Sequence, residues 1–397
     1  MFIRIILSDY SFNLPPNDNF VLYEKNLFLS MSQILYLYFL LFLSQQIAGE
    51  SCIVSKFEEV NASLTCQQII LDNLSVPAGV TLKLNLTNGA EVVFRGNTSF
   101  GYEQWDGPLV TINGTNITVR GESGSVIDGL GQYYWDGQGG WSNSKPQFFT
   151  IEAFGGSIFR DIYVINTPKD VVQITNSDNV IFTDWFIDDF DGDLGVAEPG
   201  KEGHNTDAFD VWNSTNVIIT NSVIYNQDDC VALRCGANIS VSNLYCHGSH
   251  GLSISVGFSN DSIALNTILN VSFTNSIVEA GRNGIHIKTH VDGGNGNITG
   301  VTYKNITLRD ITYNGILIQE DYTNQPPNSS SLSVEPRNNV PIRDLILEDI
   351  RGNVDIDAIP IEIVCAENGC FNWTWSTVNV TGIKNNTCNF QPEGFYC

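Results

Sequence analysis

Apolar and polar positions alternate along most of this chain in short runs, and the runs are broken by Asn and Gly. One series reads Asn-Val-Ile-Phe at 179–182, Asn-Val-Ile-Ile at 216–219, Asn-Ile-Ser-Val at 238–241 and Asn-Val-Ser-Phe at 270–273, with relatives at 157–159, 301–303 and 345–347. A second occupies 171–174, 209–212, 231–233, 252–256, 284–287, 315–318 and 359–364. The two interleave, and the longer steps carry loops such as 292–297 and 324–339. Period-two alternation predicts short half-buried strands. A repeat of strand plus turn every 20 to 25 residues or more predicts a solenoid whose coils stack on one another. Long amphipathic helical patterns are missing. The fold class expected is all-β, a single-stranded parallel β-helix. An open coil exposes unpaired strand edges, so its end needs a cover; Cys66-Gln67-Gln68-Ile69-Ile70-Leu71 is read as a short helix that supplies it.

The second series carries the candidate chemistry. Asp207 and Asp228 are 21 residues apart, as are Asp229 and His250, and each precedes a short apolar run. Residues at one phase of successive coils lie about 4.8 Å apart, so the three carboxylates and the histidine should gather at one corner. An isolated Asp-Asp reads equally as a calcium ligand or a solvated turn, but the in-phase repeat favours proton chemistry. Adjacent carboxylates repel, so one can hold a proton while another acts as base. Glycoside hydrolysis needs such a pair. A histidine one coil on can hydrogen-bond a carboxylate and tune it. There is no HExxH motif and no zinc-type cysteine spacing, so no metal and no cofactor are expected.

Charge narrows the partners. Among the 397 residues acidic groups exceed basic ones, for a net charge of −24, which argues against nucleic acid and anionic membrane. Residues 34–43 form an apolar run followed by Ser44-Gln45-Gln46-Ile47-Ala48-Gly49. It reads as the core of a signal peptide, too short to span a bilayer. Residues 1–49 are read as an N-terminal extension plus signal, with Met31 as the start of the signal, and 50–397 as one domain. Sixteen Asn-X-Ser/Thr sequons agree with a secreted, extracellular protein. Nine cysteines in a secreted chain imply disulfides and one spare thiol. The close pairs are Cys52–Cys66, Cys230–Cys246, Cys365–Cys370 and Cys388–Cys397, but spacing leaves the connectivity open. With those pairs, Cys235 is the odd residue.

Four motifs resemble the signatures of polygalacturonases, glycoside hydrolase family 28, closest to the fungal and insect endo-acting type. They are Asn205-Thr206-Asp207, Gln227-Asp228-Asp229-Cys230, Gly248-Ser249-His250-Gly251 and Gly284-Ile285-His286-Ile287-Lys288. The resemblance implies a right-handed β-helix that hydrolyses α-1,4-galacturonosyl bonds of polygalacturonan, with inversion and without metal. It implies Asp228 as general acid, Asp207 and Asp229 as the groups that hold and activate water, and His250 as support for the acid. It also implies Lys288 as a point charge for a substrate carboxylate, Tyr322 beside the cleaved bond, Asn205 in the substrate site, and the four close disulfides. The chain departs from the pattern at His286, where the family has arginine. A histidine protonated below about pH 6.5 would substitute in part. Ala208 and Ser249 replace glycines. The expected partner is pectin polysaccharide and the expected state a monomer. Two other readings stand beside this one: a catalytically silent pectin-binding protein on the same scaffold, and a hydrolase of a branched pectin such as xylogalacturonan.

Overall fold

Asparagine sets the corners of the coils. In the computed structural model, which describes residues 51–324 and 334–397, Asn216, Asn238 and Asn270 adopt left-handed backbone with φ of 53°, 56° and 53°. Asn tolerates that region better than other residues with a side chain. Its amide then bonds its counterpart one coil away, Asn238 Nδ2 to Asn216 Oδ1 at 3.1 Å and Asn270 Nδ2 to Asn238 Oδ1 at 2.8 Å. Each corner bends the chain within a strand and ties it to its neighbour. The expectations for residues 1–49, including the signal peptide and Met31, lie outside the described residues.

Every named strand pairing is parallel, and the coils have three sides. One side stacks Phe149–Arg160, Val172–Thr175, Phe209–Trp212, Val231–Leu233, Leu252–Val256, Asn283–His290 and Asn314–Tyr322 in succession. The second stacks Asp178–Thr183, Ser214–Thr220 and Gly236–Ser242. These are the two series read from the sequence. The third side, with Tyr163–Ile165, Phe186–Asp188, Val223–Tyr225 and Tyr245–His247, was not distinguished there. Three residues are too few to display an alternation.

Inward positions form columns. Val211, Leu233, Ile254, Ile287 and Ile318 follow one another in register, each fully buried. Each such side chain contributes about 1.5–3 kcal/mol by leaving water. Aromatic rings stack the same way, Phe159 on Phe182 at 4.7 Å and Phe273 on Tyr303 at 4.5 Å. On the first side the positions flanking an inward column therefore point out, and their side chains gather on one external face.

The N-terminal end differs from expectation. Gln68–Asp72 is a strand, paired with Ser51–Val54 on one side and Glu91–Arg95 on the other. The apolar run buries Ile69, Ile70 and Leu71 within that ladder. The helical turns lie earlier, at Phe57–Glu59 and Val60–Ser63. All four expected disulfides form. Cys235 is a free buried thiol whose Sγ accepts the Asn213 N–H at 3.0 Å. Among the described residues no helix is long and apolar enough to cross a membrane.

Candidate active site

The turn that bears Asp228 and Asp229 is held from beneath by Asn226. Its fully buried Nδ2 donates to the carbonyls of Thr206 (2.7 Å), Asp228 (3.0 Å) and Asp229 (3.0 Å). Backbone bonds continue the lacing: Ala208 N–H to the Asp229 carbonyl at 2.9 Å and His250 N–H to the Asp228 carbonyl at 2.7 Å. Thr206 Oγ1 accepts the Gln227 N–H at 2.7 Å, and Gln227 in turn donates to the Asp189 carbonyl. Three successive coils are thus locked at the corner that carries the acids, with Cys230–Cys246 adjoining them.

Asp207, Asp228, Asp229 and His250 line one cleft of about 1050 Å³, together with His286, Lys288, Tyr322 and Asn205. Asp228 is an acceptor on both oxygens. Oδ1 takes His250 Nδ1 at 3.0 Å and the Asp229 N–H at 2.8 Å, and Oδ2 takes Asn205 Nδ2 at 3.0 Å. Burial works against its charge, yet His250, with Lys288 and His204 behind it, holds the carboxyl well below the usual carboxylate range. Asp229 accepts Ser253 Oγ at 2.6 Å on one oxygen and Lys288 Nζ at 3.0 Å on the other. Asp207 is the contrasting member. Burial, then the charges of Asp228 and Asp210, push its carboxyl well above the ordinary value.

Three of these residues have contacts within the protein that bear on the roles expected of them. His286 does not serve as a pH-gated cation: burial, with Lys288 and His250 nearby, drops its proton affinity far below that of a free imidazole. Its Nε2 lies 3.0 Å from the Gln319 amide nitrogen and its Nδ1 3.4 Å from that of Asn283, and a neutral ring can accept from one of the two. Lys288 is not a free point charge but is paired with Asp229 and lies over the Tyr322 ring at 5.2 Å; burial opposes its charge and Asp229 more than restores it, so its affinity for protons rises. Asn205 spends its amide inside the protein, with Nδ2 on Asp228 and Oδ1 accepting the Gly140 N–H at 3.0 Å.

The sequence reading missed several groups. Arg234 pairs with Asp210 at 3.0 Å and Asp207 at 3.4 Å and lies over the Phe258 ring. Burial raises the Asp210 carboxyl to about 7 against the pull of Arg234. Alternation does point to Arg234, since it follows inward Leu233 and so faces the cleft. Arg282, Tyr313, His204 and Trp141 also line the cleft, and no repeat announced them. Two acidic groups have metal-like geometry, Asp228 with Asp229 and His250, and Asp170 with Asp207 and Asp210. Their oxygens already face His250, Lys288 and Arg234, so a cation entering either would meet positive charge.

The family model for "Glycosyl hydrolases family 28" matches residues 66–397. The chain is 41% identical over 337 residues to "Endopolygalacturonase I" of Aspergillus aculeatus, covering 84% of each protein. It is 40% identical to "Polygalacturonase" of Phaedon cochleariae, covering 88% of this chain and 94% of that one. Among solved structures, endopolygalacturonase I from Stereum purpureum, complexed with two galacturonate, superposes with a TM-score of 0.74 at 31% identity, over 85% of this chain and 96% of that one. The fold is accordingly the right-handed parallel β-helix of these enzymes.

Proposed function

The chain belongs to glycosyl hydrolases family 28 and is a pectin-cleaving hydrolase, and from that premise we propose that Asp228 protonates the leaving oxygen of an α-1,4-galacturonosyl bond inside de-esterified polygalacturonan. The observation that carries the assignment is the contact of Asp228 with His250 at 3.0 Å. In the free protein Asp228 is held towards its ionised form by the neighbouring His250. A bound uronate adds negative charge beside Lys288 and strips water from the cleft, and both effects raise the Asp228 carboxyl. Asp228 then takes up a proton through its contact with His250 Nδ1 and gives it to the glycosidic oxygen as the C1–O bond breaks. Water attacks C1 and gives its proton to Asp229, whose other contacts, Ser253 and Lys288, are those of a carboxylate. Asp207, whose carboxyl burial disposes to keep a proton, orients that water.

Inversion at C1 belongs to this proposal. One oxygen of Asp228 and one of Asp229 lie within 4.8 Å, closer than the gap of about 6.5–9.5 Å usual for inverting glycosidases. The water is therefore assigned a place beneath both Asp207 and Asp229, off the line between Asp228 and Asp229. The first product should be the β-anomer by proton NMR; an α-anomer would instead make one aspartate a nucleophile. We further propose that residues 50–397 form a single secreted, monomeric catalytic domain after a cleaved leader, in keeping with the disulfides and sequons.

Reducing-end release from polygalacturonic acid tests the reading, with viscosity measured alongside. Endo action lowers viscosity well before many ends appear. Binding without release would favour the silent pectin binder, and an ultraviolet-absorbing unsaturated product would indicate a lyase.

A further inference from the structure

We propose that Arg282, stacked on Tyr313, forms the subsite that takes a substrate uronate in place of the arginine missing at His286. This inference rests on the pectin-cleaving reading above. His286 is enclosed and burial disfavours its charge, so it gives the cleft no cation. Four Lys and Arg side chains line the cleft in the described residues. Lys169 faces Asp170 at 3.3 Å, Arg234 faces Asp210 and Asp207, and Lys288 faces Asp229. Arg282 alone among these has no acidic partner in the described residues, although the chain carries a net charge of −24. Its guanidinium instead lies 4.7 Å from the centroid of the Tyr313 ring.

The backbone holds this pair in place. The Arg282 N–H donates to the Ser249 carbonyl at 2.7 Å, and the Tyr313 N–H donates to the Arg282 carbonyl at 2.9 Å. Ser249, Arg282 and Tyr313 therefore follow one another on three successive coils. Ser249 precedes His250, the partner of Asp228, so Arg282 stands one coil beyond the proposed acid–histidine pair. It also precedes the strand Asn283–His290, which carries His286 and Lys288. Arg282 thus marks one lip of the cleft and Lys288 its floor, with neutral His286 between them. An exposed guanidinium braced by an aromatic face suits a sugar acid: its fork binds a planar carboxylate through two N–H groups, and the half-exposed Tyr313 ring, 52% accessible, offers a surface for the sugar.

The test compares Arg282→Ala, Arg282→Lys and Tyr313→Ala with wild type on polygalacturonic acid and on a half-methyl-esterified counterpart. Arg282 is exposed and supports no buried charge, so these variants should keep the wild-type melting temperature. The expected result is that Arg282→Ala lowers kcat/KM on the de-esterified polymer about 10- to 100-fold, mostly through KM. The loss should be several-fold smaller on the esterified polymer, and Arg282→Lys and Tyr313→Ala should fall between. Wild-type kinetics in Arg282→Ala, or an equal loss on both polymers, would overturn the subsite while leaving the hydrolase reading intact. No release by wild type from either polymer would overturn both.

Discussion

Replacing Asn226 with alanine should cost both stability and rate, and the size of each loss follows from which carbonyls stay satisfied. The side chain donates to three carbonyls. Two of them keep a second donor, Asp229 from Ala208 N–H and Asp228 from His250 N–H. The Thr206 carbonyl has no other donor among the described residues. An orphaned buried carbonyl costs about 1–3 kcal/mol, and each shared bond lost costs up to about 1 kcal/mol. The expected penalty is therefore about 1–5 kcal/mol, read as a lower midpoint in urea with unchanged slope. Activity should fall further than stability accounts for, because Asp207 follows Thr206 and the other two carbonyls belong to Asp228 and Asp229. A displacement of the acids by about 1 Å is enough for a loss near 100-fold. Asn226→Asp should be worse than alanine, since it sets carboxylate oxygens against three carbonyls. A stability change below about 0.5 kcal/mol with normal kcat would show that the turn holds its shape without Asn226, and the reasoning would fail.

Other consequences are as direct. Glu320 is fully buried, with Oε2 accepting the Ala366 N–H at 2.7 Å and Oε1 unpartnered, and burial raises it from 4.5 to about 7. Because the folded form keeps its proton longer than the unfolded chain does, this contribution is present below about pH 4.5 and is lost as pH rises through about 7. Glu320→Gln should therefore be more stable than wild type by about 3 kcal/mol at pH 8 and by little at pH 4, in thermal or urea unfolding; a gain equal at both pH values would refute the cause. Asp189, raised to about 8 by burial, acts in the same direction, so wild-type stability should fall between pH 4 and 8. Cys235 should resist a thiol reagent in the native protein and release one equivalent after unfolding; rapid native labelling would contradict its burial.

The repeat made much of this legible before any coordinates. Asp207, Asp228, Asp229 and His250 share a phase of the coil, and phase alone brought them to one corner. Their division of labour was not legible, because it depends on neighbours from other coils: His250 and Asn205 on Asp228, Lys288 and Ser253 on Asp229, Arg234 on Asp207. The role expected of His286 failed for the same reason. Its sequence position suggests a ring that gains a proton below about pH 6.5, whereas Gln319 from the next coil and the adjoining Asn283 enclose it. Arg282 and Tyr313 sit at a coil corner, where residue types vary and no alternation marks a face. The third strand of each coil and the early helical turn were hidden by brevity, being only one turn or three residues long.

The central claim is that Asp228 delivers the proton. Asp228→Asn keeps the acceptor for the Asp229 N–H and the shape of the turn but cannot donate an acid proton. Reducing-end release from polygalacturonic acid by that variant, beside wild type at matched folded concentration, measures the claim directly. The account predicts a loss of about 100- to 10,000-fold in kcat with polymer binding retained. Turnover within a few-fold of wild type would contradict it and move the acid to another member of the cluster.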